Sequence, residues 1–547
     1  MRIIVTGILL LGFIQSMAQT DSTRNQGEIL TGEVVIEKDK KITLPQADKI
    51  FVRSEPKTFS NDPLNLTFEI QEPSFEWPDY KSDVPFQSVR DAYPLAEYQN
   101  YVKLGYGNFN SPLLEAGLFQ SFGTFDSRAK LFYESFNSGP VKGDNSGNSI
   151  AGVELSGDYK LPSISVTPSI VYSRKEYNFY GSTASTNFPD NPNEASFSDF
   201  GIGINLSGGS EDINYGLRPI FSTVNQQISP SEFNKEDVLE LAGAFNYKIG
   251  KVFSTGLDLD ASSASYKSGT DYDRSLINIK PWVSYKKELL RLNAGLIVSS
   301  GKIAESSKTS IYPDIRMEYD LADQWVVYGI LSGGQSMNTL RDMIGENQFL
   351  DDSLVLSFSE NAIEFGGGIK GNPWKNMLIE GSVSYRDVNG MPFFTPSSSD
   401  SSRYSLDYDT DAVNVITFKS KLAYMPTSTS TYGASVEING YSTESLDKPW
   451  HKPSFIFKAF TSHNIKEKLI VSAYLTSIGG IRAPANVDFG YLKLDGFTDV
   501  GISAKYLFTK RASAFIDINN LLNNEYERYL GYPTRGLAFK IGGQYRF

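Results

Sequence analysis

The last eleven residues constrain the fold more than any other stretch of the chain. From Leu537 to Phe547, apolar residues and one glycine at the odd positions alternate with small or polar residues at the even positions. Successive side chains of a strand point to opposite faces, so one face of this segment is apolar and the other suits water. A membrane-spanning barrel needs that pattern, with its apolar face toward lipid. A soluble edge strand ending in an aromatic residue is the alternative, which the rest of the chain disfavours.

Composition and charge exclude several classes of protein. The chain has 547 residues, and 63 Asp and Glu against 51 Lys and Arg give a net charge of −12. Because no basic field exists to neutralise phosphates, we expect no nucleic-acid partner. The absence of Cys excludes disulfides, a thiolate nucleophile and Cys metal ligands. The 31 Tyr, 35 Phe and 5 Trp fit the aromatic girdles of a membrane barrel.

The N-terminus has the pattern of a cleaved secretory signal. Arg2 precedes an apolar stretch from Ile3 to Ile14, and Ala18 is small, as a signal peptidase requires. We predict a signal peptide over 1–18, cleavage between Ala18 and Gln19, and export to the outer membrane. The apolar stretch is too short to cross a membrane as a helix, which disfavours a membrane anchor.

Residues 19–98 differ in composition and residue pattern from the rest of the chain. They are polar and contain seven prolines. Prolines at this density disfavour helices and central strands. We predict an extended Pro-rich arm, periplasmic or lumenal, that is ordered only where it contacts a partner.

Residues 99–547 consist of alternating segments separated by turn signals. The turn signals lie at Gly123-Thr124, Leu161-Pro162, Gly208-Gly209, Gly250-Lys251, Lys287-Glu288, Ala322-Asp323, Asn372-Pro373, Pro426-Thr427, Lys466-Glu467 and Thr509-Lys510. Each interval holds two strands and one longer polar loop, an arrangement typical of outer-membrane barrels. Ten turns join twenty strands, so with an opening and a closing strand we predict an all-β, transmembrane antiparallel β-barrel of about 22 strands. A propeller is the alternative, but no blade motif repeats.

The last third of the chain resembles TonB-dependent outer-membrane receptors. The stretches that carry the resemblance are Leu340–Met343 with Asn347, Asn361–Gly366, Gly496–Gly501, Tyr506–Thr509, Ile518–Tyr526 and Gly531–Gly536. The residues assigned to the family motif are Asn519, Asn520, Leu521, Tyr526, Gly531, Pro533, Arg535 and Gly536. The barrel of that family has 22 strands, which agrees with the count from the turns.

The chain departs from this family before the barrel. The receptors carry a globular plug of well over a hundred residues, whereas residues 19–98 are fewer, Pro-rich and unpatterned. We therefore predict a barrel without a recognisable plug. Glu33–Glu37 is similar to a TonB-contacting segment, although an isolated β-prone pentamer is the preferred interpretation. A barrel of about 22 strands is roughly 45 Å across, so extracellular loops, the arm or a partner chain must fill it.

The closing strand also predicts partners. Phe547 resembles the C-terminal aromatic residue of outer-membrane barrels, which their assembly machinery recognises. We assign Phe539, Ile541, Tyr545 and Phe547 to the lipid-facing side of this strand. The expected partners are outer-membrane lipid, the barrel-assembly machinery during insertion, and proteins that contact the arm or the extracellular loops.

We predict no catalytic, cofactor or metal site. His451 and His463 are the only histidines, and no Cys can join them as a ligand. The segment Asp407–Asp411 begins like a calcium loop, but Ala412 replaces the required glycine, so we interpret it as an acidic loop base. The glycines of Gly366–Gly371 lack the Gly-Lys-Ser/Thr ending of a phosphate loop.

Two functions fit a non-enzymatic barrel of this kind. The first hypothesis is a scaffold, the barrel subunit of a multi-protein outer-membrane complex for assembly, secretion or uptake, because the plug is lost while a long arm is kept. The alternative is a receptor-derived transport channel for a bulky nutrient, gated by loops or by a plug from another chain.

Overall fold

The computed structural model describes residues 100–141, 143–182, 194–269, 271–322, 324–409, 411–485 and 490–547. The predicted signal peptide, its cleavage point between Ala18 and Gln19, and the Pro-rich arm lie outside these residues.

A single antiparallel sheet of 22 strands forms the wall in the described part of the chain. Its strands are β1 (Tyr101–Gly107), β2 (Ser111–Phe122), β3 (Phe125–Phe136), β4 (Asn148–Lys160), β5 (Ile164–Asn178), β6 (Glu194–Gly209), β7 (Ile213–Gln227), β8 (Phe233–Ile249), β9 (Phe253–Lys267), β10 (Tyr272–Lys287), β11 (Leu290–Ile303), β12 (Ser306–Ala322), β13 (Trp325–Met337), β14 (Phe358–Gly371), β15 (Met377–Asn389), β18 (Val413–Thr427), β19 (Ser430–Ser442), β20 (Phe455–Ile465), β21 (Leu469–Gly479), β24 (Phe497–Leu507), β25 (Ala512–Asn519) and β26 (Ala538–Arg546). Strand β1 pairs with β2 on one side and with β26 on the other, which closes the barrel. The predicted all-β antiparallel barrel of about 22 strands is confirmed.

The remaining regular elements lie in the connections. Two small hairpins pair β16 (Pro392–Pro396) with β17 (Tyr404–Tyr408) and β22 (Arg482–Pro484) with β23 (Tyr491–Lys493). The helix α1 spans Leu340–Glu346, and Asp144–Ser146 form a 3-10 turn. Among the described residues, no helix combines the length and apolar character needed to cross a membrane.

Strand alternation sorts the side chains into an outer and an inner face. Leu104 of β1 and Ile541 of β26 point outward, with 56% and 58% of their surface exposed. Lys540, one residue earlier in β26, is buried on the inner side. The outer face is therefore apolar, as a wall in contact with lipid must be.

The two ends of the barrel differ in their connections. At one end, the described chain turns in two to five residues, for example at 250–252 and 288–289. Two of the predicted turn signals, Gly208-Gly209 and Pro426-Thr427, belong to strand ends, and those turns follow within two residues. The opposite end carries the long connections, so the predicted asymmetry of short turns and long loops is present.

The wall also differs in height around the barrel. Strands β8 and β12 have 17 residues each, whereas β1 has 7 and β25 has 8. At about 3.4 Å per residue, strand length ranges from roughly 25 Å to more than twice that value. Because the short turns share one end, the long strands project beyond the others at the loop end, where they offer an inner surface against which loops can pack.

Candidate functional site

Five long connections converge over the loop end of the barrel. We call them the loop cap: residues 338–357, 390–412, 443–454, 480–496 and 520–537, of which 410 and 486–489 lie outside the described residues. Side chains from three of these loops join residues of the projecting strands in one buried apolar cluster. The loops therefore pack as a core across the mouth of the barrel.

Aromatic rings form the centre of this cluster. Phe349 stacks on Tyr532 with ring centroids 3.5 Å apart, although the two residues come from different loops. The hydroxyl of Tyr404 donates to the carbonyl oxygen of Leu530 at 2.6 Å, and that of Tyr532 donates to the carbonyl of Ser402. Because each buried hydroxyl has a partner, the rings can be buried without leaving an unsatisfied polar group.

A buried ion pair attaches the first cap loop to the wall. Glu236 of β8 and Arg274 of β10 form an ion pair without any exposed side-chain surface. Glu236 also accepts from the backbone N–H of Leu340 at 2.6 Å, and Arg274 donates to the carbonyl oxygen of Asn338 at 2.8 Å. The pair thus satisfies the backbone where α1 begins and holds that end of the loop against the inner wall.

Two buried amides hold the same loop beyond α1, at Leu350 and Asp351. Gln226 donates to the carbonyl oxygen of Leu350 at 3.3 Å, and Asn234 donates to that of Asp351 at 2.8 Å. Asn234 also donates to the side-chain oxygen of Gln226 at 2.8 Å, so β7 and β8 present a connected set of donors. A connected and satisfied set specifies one position for the loop.

Charged contacts join the cap loops to one another. Arg403 lies between Asp351, Glu232 and Asp400, at 3.4, 3.0 and 3.2 Å. Burial raises the pKa of the Asp351 carboxyl, but hydrogen bonds, first of all from Ser397, outweigh it, so the pKa lies below its usual value. The carboxylate therefore stays charged opposite Arg403.

Asp409 joins the second and third cap loops. Its carboxylate accepts from the backbone N–H groups of Glu444, Ser445 and Leu446 at 3.0 to 3.3 Å. Burial raises the pKa of Asp409, but these bonds and that of the Ser445 hydroxyl outweigh it and lower the pKa to about 2. The acidic segment that resembles a calcium loop thus binds backbone amides through this residue.

The two histidines serve different parts of the barrel. His451 is buried in the cap, where its Nδ1 lies 2.9 Å from the carbonyl oxygen of Phe394. Burial lowers the pKa of His451 to about 3, so the ring is neutral and donates through Nδ1. His463 lies in β20, beside Thr461 and Ser430. Across the described residues, no group of three or more His, Asp or Glu side chains is placed to hold a metal ion.

The residues assigned to the family motif lie in or beside the last cap loop. Asn519 accepts from the hydroxyl of Tyr474 at 2.7 Å, and the backbone N–H of Leu521 donates to the carbonyl of Val500 at 2.8 Å. The side chain of Asn520 donates to the carbonyl oxygens of Asn524 and Arg535, at 2.7 and 2.8 Å.

The other motif residues connect this loop to its neighbours. Tyr526 stacks on Phe497 with centroids 3.8 Å apart. Arg535 donates to Ser146 of the loop after β3 and to Asn148 at the start of β4, and the carbonyl oxygen of Pro533 accepts from the hydroxyl of Tyr180 at 3.0 Å.

Both motif glycines sit where a side chain would collide. Gly531 has a φ of +80°, and a Cβ there would lie 2.1 Å from the carbonyl oxygen of Ser182. A Cβ at Gly536 would lie 2.4 Å from Asn523. The motif residues therefore contribute to the structure of the cap, and we assign them no role in binding a ligand.

The residues assigned to the lipid-facing side of the closing strand are exposed in the structure. Phe539, Ile541, Tyr545 and Phe547 are exposed on the outer face. Their recognition by an assembly machinery stays a prediction. Lys540 faces inward, where it is fully buried and paired with Glu134. A substitution of Lys540 will therefore change the stability of the barrel, whereas a substitution of a solvated lumenal residue would not.

Sequence reasoning missed the residues that attach the cap to the wall. Gln226, Asn234, Glu236 and Arg274 occupy inward positions near the loop ends of their strands. Polar residues there also suit a wet lumen, so period-two patterning alone could not single them out. The helix α1 did carry a local signal, since Thr339 and Asp342 form a reciprocal capping box at its start.

The closed 22-strand barrel defines the fold class of the molecule, that of TonB-dependent receptors. The FrpB iron transporter from Neisseria meningitidis has the same fold with a TM-score of 0.67 at 9% identity, over 82% of this chain and 81% of that chain. For the ferric-catecholate import receptor Fiu from E. coli K12, the TM-score is 0.64 at 11% identity, over 83% and 82%. Identities this low establish a shared fold and nothing finer.

Comparisons of sequence add no relative. No protein-family model and no curated protein matches the chain. The resemblance to TonB-dependent receptors is thus confirmed for the barrel, while the absence of a plug concerns residues outside the described part and stays a prediction.

Proposed function

We propose that this protein is a non-enzymatic outer-membrane barrel that passes a bulky solute across the membrane, with the loop cap as its outer gate. The observation that carries the proposal is the cap itself: loops held by side-chain contacts cover one end of a barrel wide enough to need closure. Closure by non-covalent contacts can be reversed, as a gate requires.

The outer-membrane location is supported by the outer face of the wall. Exposed apolar side chains such as Leu104, Leu239 and Ile541 ring the barrel, and a soluble protein rarely exposes so continuous an apolar surface. The neighbours in fold include an iron transporter and an import receptor, which agrees with transport across such a membrane.

The direction of the barrel follows from its even number of strands. The start of β1 and the end of β26 lie at the same end, together with the short turns. In outer-membrane barrels the short turns are periplasmic and the longer loops extracellular. The loop cap then faces the cell surface, and residues 19–98 and Phe547 are periplasmic or lumenal.

A reversible cross-link tests the gate. The hydroxyl of Ser268, after β9, donates to the backbone carbonyl of Asp352 in the cap, so the two positions are neighbours. Because the chain has no native cysteine, a cysteine introduced at each position can be cross-linked to the other selectively. In planar bilayers, the Ser268→Cys, Asp352→Cys protein should show channel openings when reduced and lose them when oxidised. Openings that persist after complete cross-linking, verified by thiol titration, would contradict the gate.

The second candidate is the scaffold of a multi-protein complex. It is favoured by the burial of the cap, whose residues Phe349, Leu350, Tyr404 and Tyr532 are packed as in a permanent core. Under this function the reduced protein shows no openings, and a tagged chain isolated from native membranes brings stoichiometric partners with it. A solitary chain that conducts would exclude the scaffold.

A further inference from the structure

A patch of basic side chains lies at the short-turn end of the barrel, where β26 closes onto β1. We call it the basic patch, and its five cations belong to β1, β24, β26 and the turn between β24 and β25: Lys103, Lys505, Lys510, Arg511 and Arg546. The carboxylates at the same place are those of Glu115, Asp517 and the C-terminus at Phe547. The patch is therefore net positive, although the whole chain has a net charge of −12. The next turn, between β20 and β21, holds Glu467 between Lys466 and Lys468 and does not reverse this charge.

The cations of the basic patch lie close together. Lys103 is the register partner of Gln544, and the ammonium group of Lys505 donates to the side-chain oxygen of Gln544 at 2.6 Å. The backbone N–H of Arg546 donates to the carbonyl oxygen of Arg511 at 2.7 Å. These contacts bring residues from four segments of the chain into one surface.

The strand residues of the patch face the lumen. Leu104, Tyr506 and Tyr545 are exposed on the outer face. Because successive side chains of a strand alternate, their neighbours Lys103, Lys505 and Arg546 point inward. The outer face belongs to lipid, so the occupant of this inner surface must come from the lumen or from the space below the short turns.

The nearby carboxylates have contacts of their own. Glu115 lies opposite Lys103 and accepts from the hydroxyl of Tyr101, and Asp517 accepts from that of Ser503. In the described part of the chain, Lys103 forms no ion pair, and its ammonium group lies 4.2 Å from the centre of the Phe515 ring. The patch therefore offers positive charge beside an aromatic ring.

The chain enters the barrel beside this patch. The carbonyl oxygen of Asn100 accepts from the backbone N–H of Phe547 at 2.9 Å, and its side chain accepts from that of Phe119 at 2.6 Å. Residues 74–98, which lie just before this point in sequence, contain five Asp and Glu against two Lys and Arg. They also contain six aromatic residues and three prolines. Their net charge of −3 is opposite in sign to that of the patch.

We propose that residues 74–98 dock on the basic patch and cover this side of the barrel opening. Carboxylates can pair with the ammonium and guanidinium groups, and aromatic rings can stack on the same cations. The covalent connection at Asn100 gives the segment a high effective concentration, so contacts that are individually weak suffice. Fully extended, 25 residues span about 80 to 90 Å, more than the roughly 45 Å diameter of the barrel. The proposal requires neither the outer gate nor a transported solute.

A nitroxide spin label at Ser82→Cys in the full-length protein in detergent tests the docking, because the chain has no native Cys. At low ionic strength most of the label should be immobile, and high salt should mobilise it. Replacing both Lys103 and Arg546 by Gln should raise the ratio of mobile to immobile label about tenfold, because two charge contacts are lost. The variant Lys103→Arg, Arg546→Lys keeps both charges and should keep the label immobile.

The matched control is Lys248→Gln with Lys286→Gln. It removes two cations from the short-turn ends of β8 and β10, on the other side of the barrel, and should leave the label immobile. Equal mobilisation by the two double variants would overturn the proposal, since it would indicate general attraction to the rim.

Three further results would overturn the proposal. They are a label that is mobile in the parent protein at low salt, a label that stays immobile when Lys103 and Arg546 are both Gln, and a label that is immobile in phosphatidylcholine nanodiscs but mobile in phosphatidylglycerol nanodiscs. The last result would assign the patch to anionic lipid. None of these measurements uses conductance, so failure of the docking leaves the gate untouched, and failure of the gate leaves the docking untouched.

Discussion

At the residue scale, the cap depends on a few buried polar side chains that connect loops to strands. Glu236 and Arg274 are 38 residues apart in sequence yet form a pair that also satisfies backbone groups of the first cap loop. Removing one partner of such an ion pair costs far more free energy of folding than replacing both partners by apolar residues, because the first change leaves a lone buried charge. These contacts determine where the loop lies, and no local sequence pattern announces them.

Replacing Glu236 by Gln should destabilise the cap by about 3–5 kcal/mol, because Arg274 then lies buried without a counter-charge. The measurement is the free energy of unfolding in urea, together with proteolysis within residues 338–357. Glu437→Gln breaks a partly exposed pair and should cost at most about 1 kcal/mol. Replacing both Glu236 and Arg274 by Met should recover part of the loss. Equal losses in the two single variants would contradict the burial of this pair.

Acid should loosen the junction that Asp409 makes with residues 444–446. The folded pKa of about 2 lies below the ordinary 3.8, so this carboxylate stabilises the junction above pH 4 and the contribution is lost as pH falls toward 2. Hydrogen exchange of the amides of Ser445 and Leu446, corrected for intrinsic rates, should rise across this window. In Asp409→Asn, exchange should be faster at pH 5 and change little on acidification. An unchanged wild-type profile between pH 5 and 2 would refute the junction.

At the element scale, strands follow from sequence more closely than loops do. The alternation in β26 and turn signals such as Gly250-Lys251 predicted the strands of the wall. Both signals can be recognised in sequence because a period of two and turn chemistry depend only on residues that are close along the chain. The cap could not be derived that way, since Phe349 and Tyr532 meet across 183 residues. The motif residue Arg535 carries a sequence signal, yet only the structure shows that it binds the loop after β3.

The closing strand makes a prediction about assembly. Deleting Phe547 or replacing Tyr545 by Lys should reduce accumulation in the outer membrane, because a charge on the lipid face costs from about zero to 4 kcal/mol, increasing with depth. Arg546→Gln changes an inward residue and should accumulate normally. Immunoblots of membrane fractions measure the amounts, and equal accumulation of Tyr545→Lys and Arg546→Gln would show that the two faces are wrongly assigned.

At the scale of the whole molecule, the height of the wall determines where the loops can pack. The long strands β5 to β12 project at the loop end and supply the inner surface to which residues 338–357 attach, while the loop after β25 reaches the same cluster. A wide barrel is thereby covered at one end by its own chain. The proposed outer gate depends on that end facing the cell surface.

Labelling of single cysteines on intact cells tests this account most directly, since the native chain contains no Cys. Ser398 is exposed in the second cap loop, and Lys251 is exposed in a short turn at the opposite end. With a membrane-impermeant maleimide, Ser398→Cys should be labelled on intact cells, and Lys251→Cys only after the outer membrane is opened. Labelling of Lys251→Cys but not Ser398→Cys on intact cells would contradict the orientation of the barrel and the role of the cap as an outer gate.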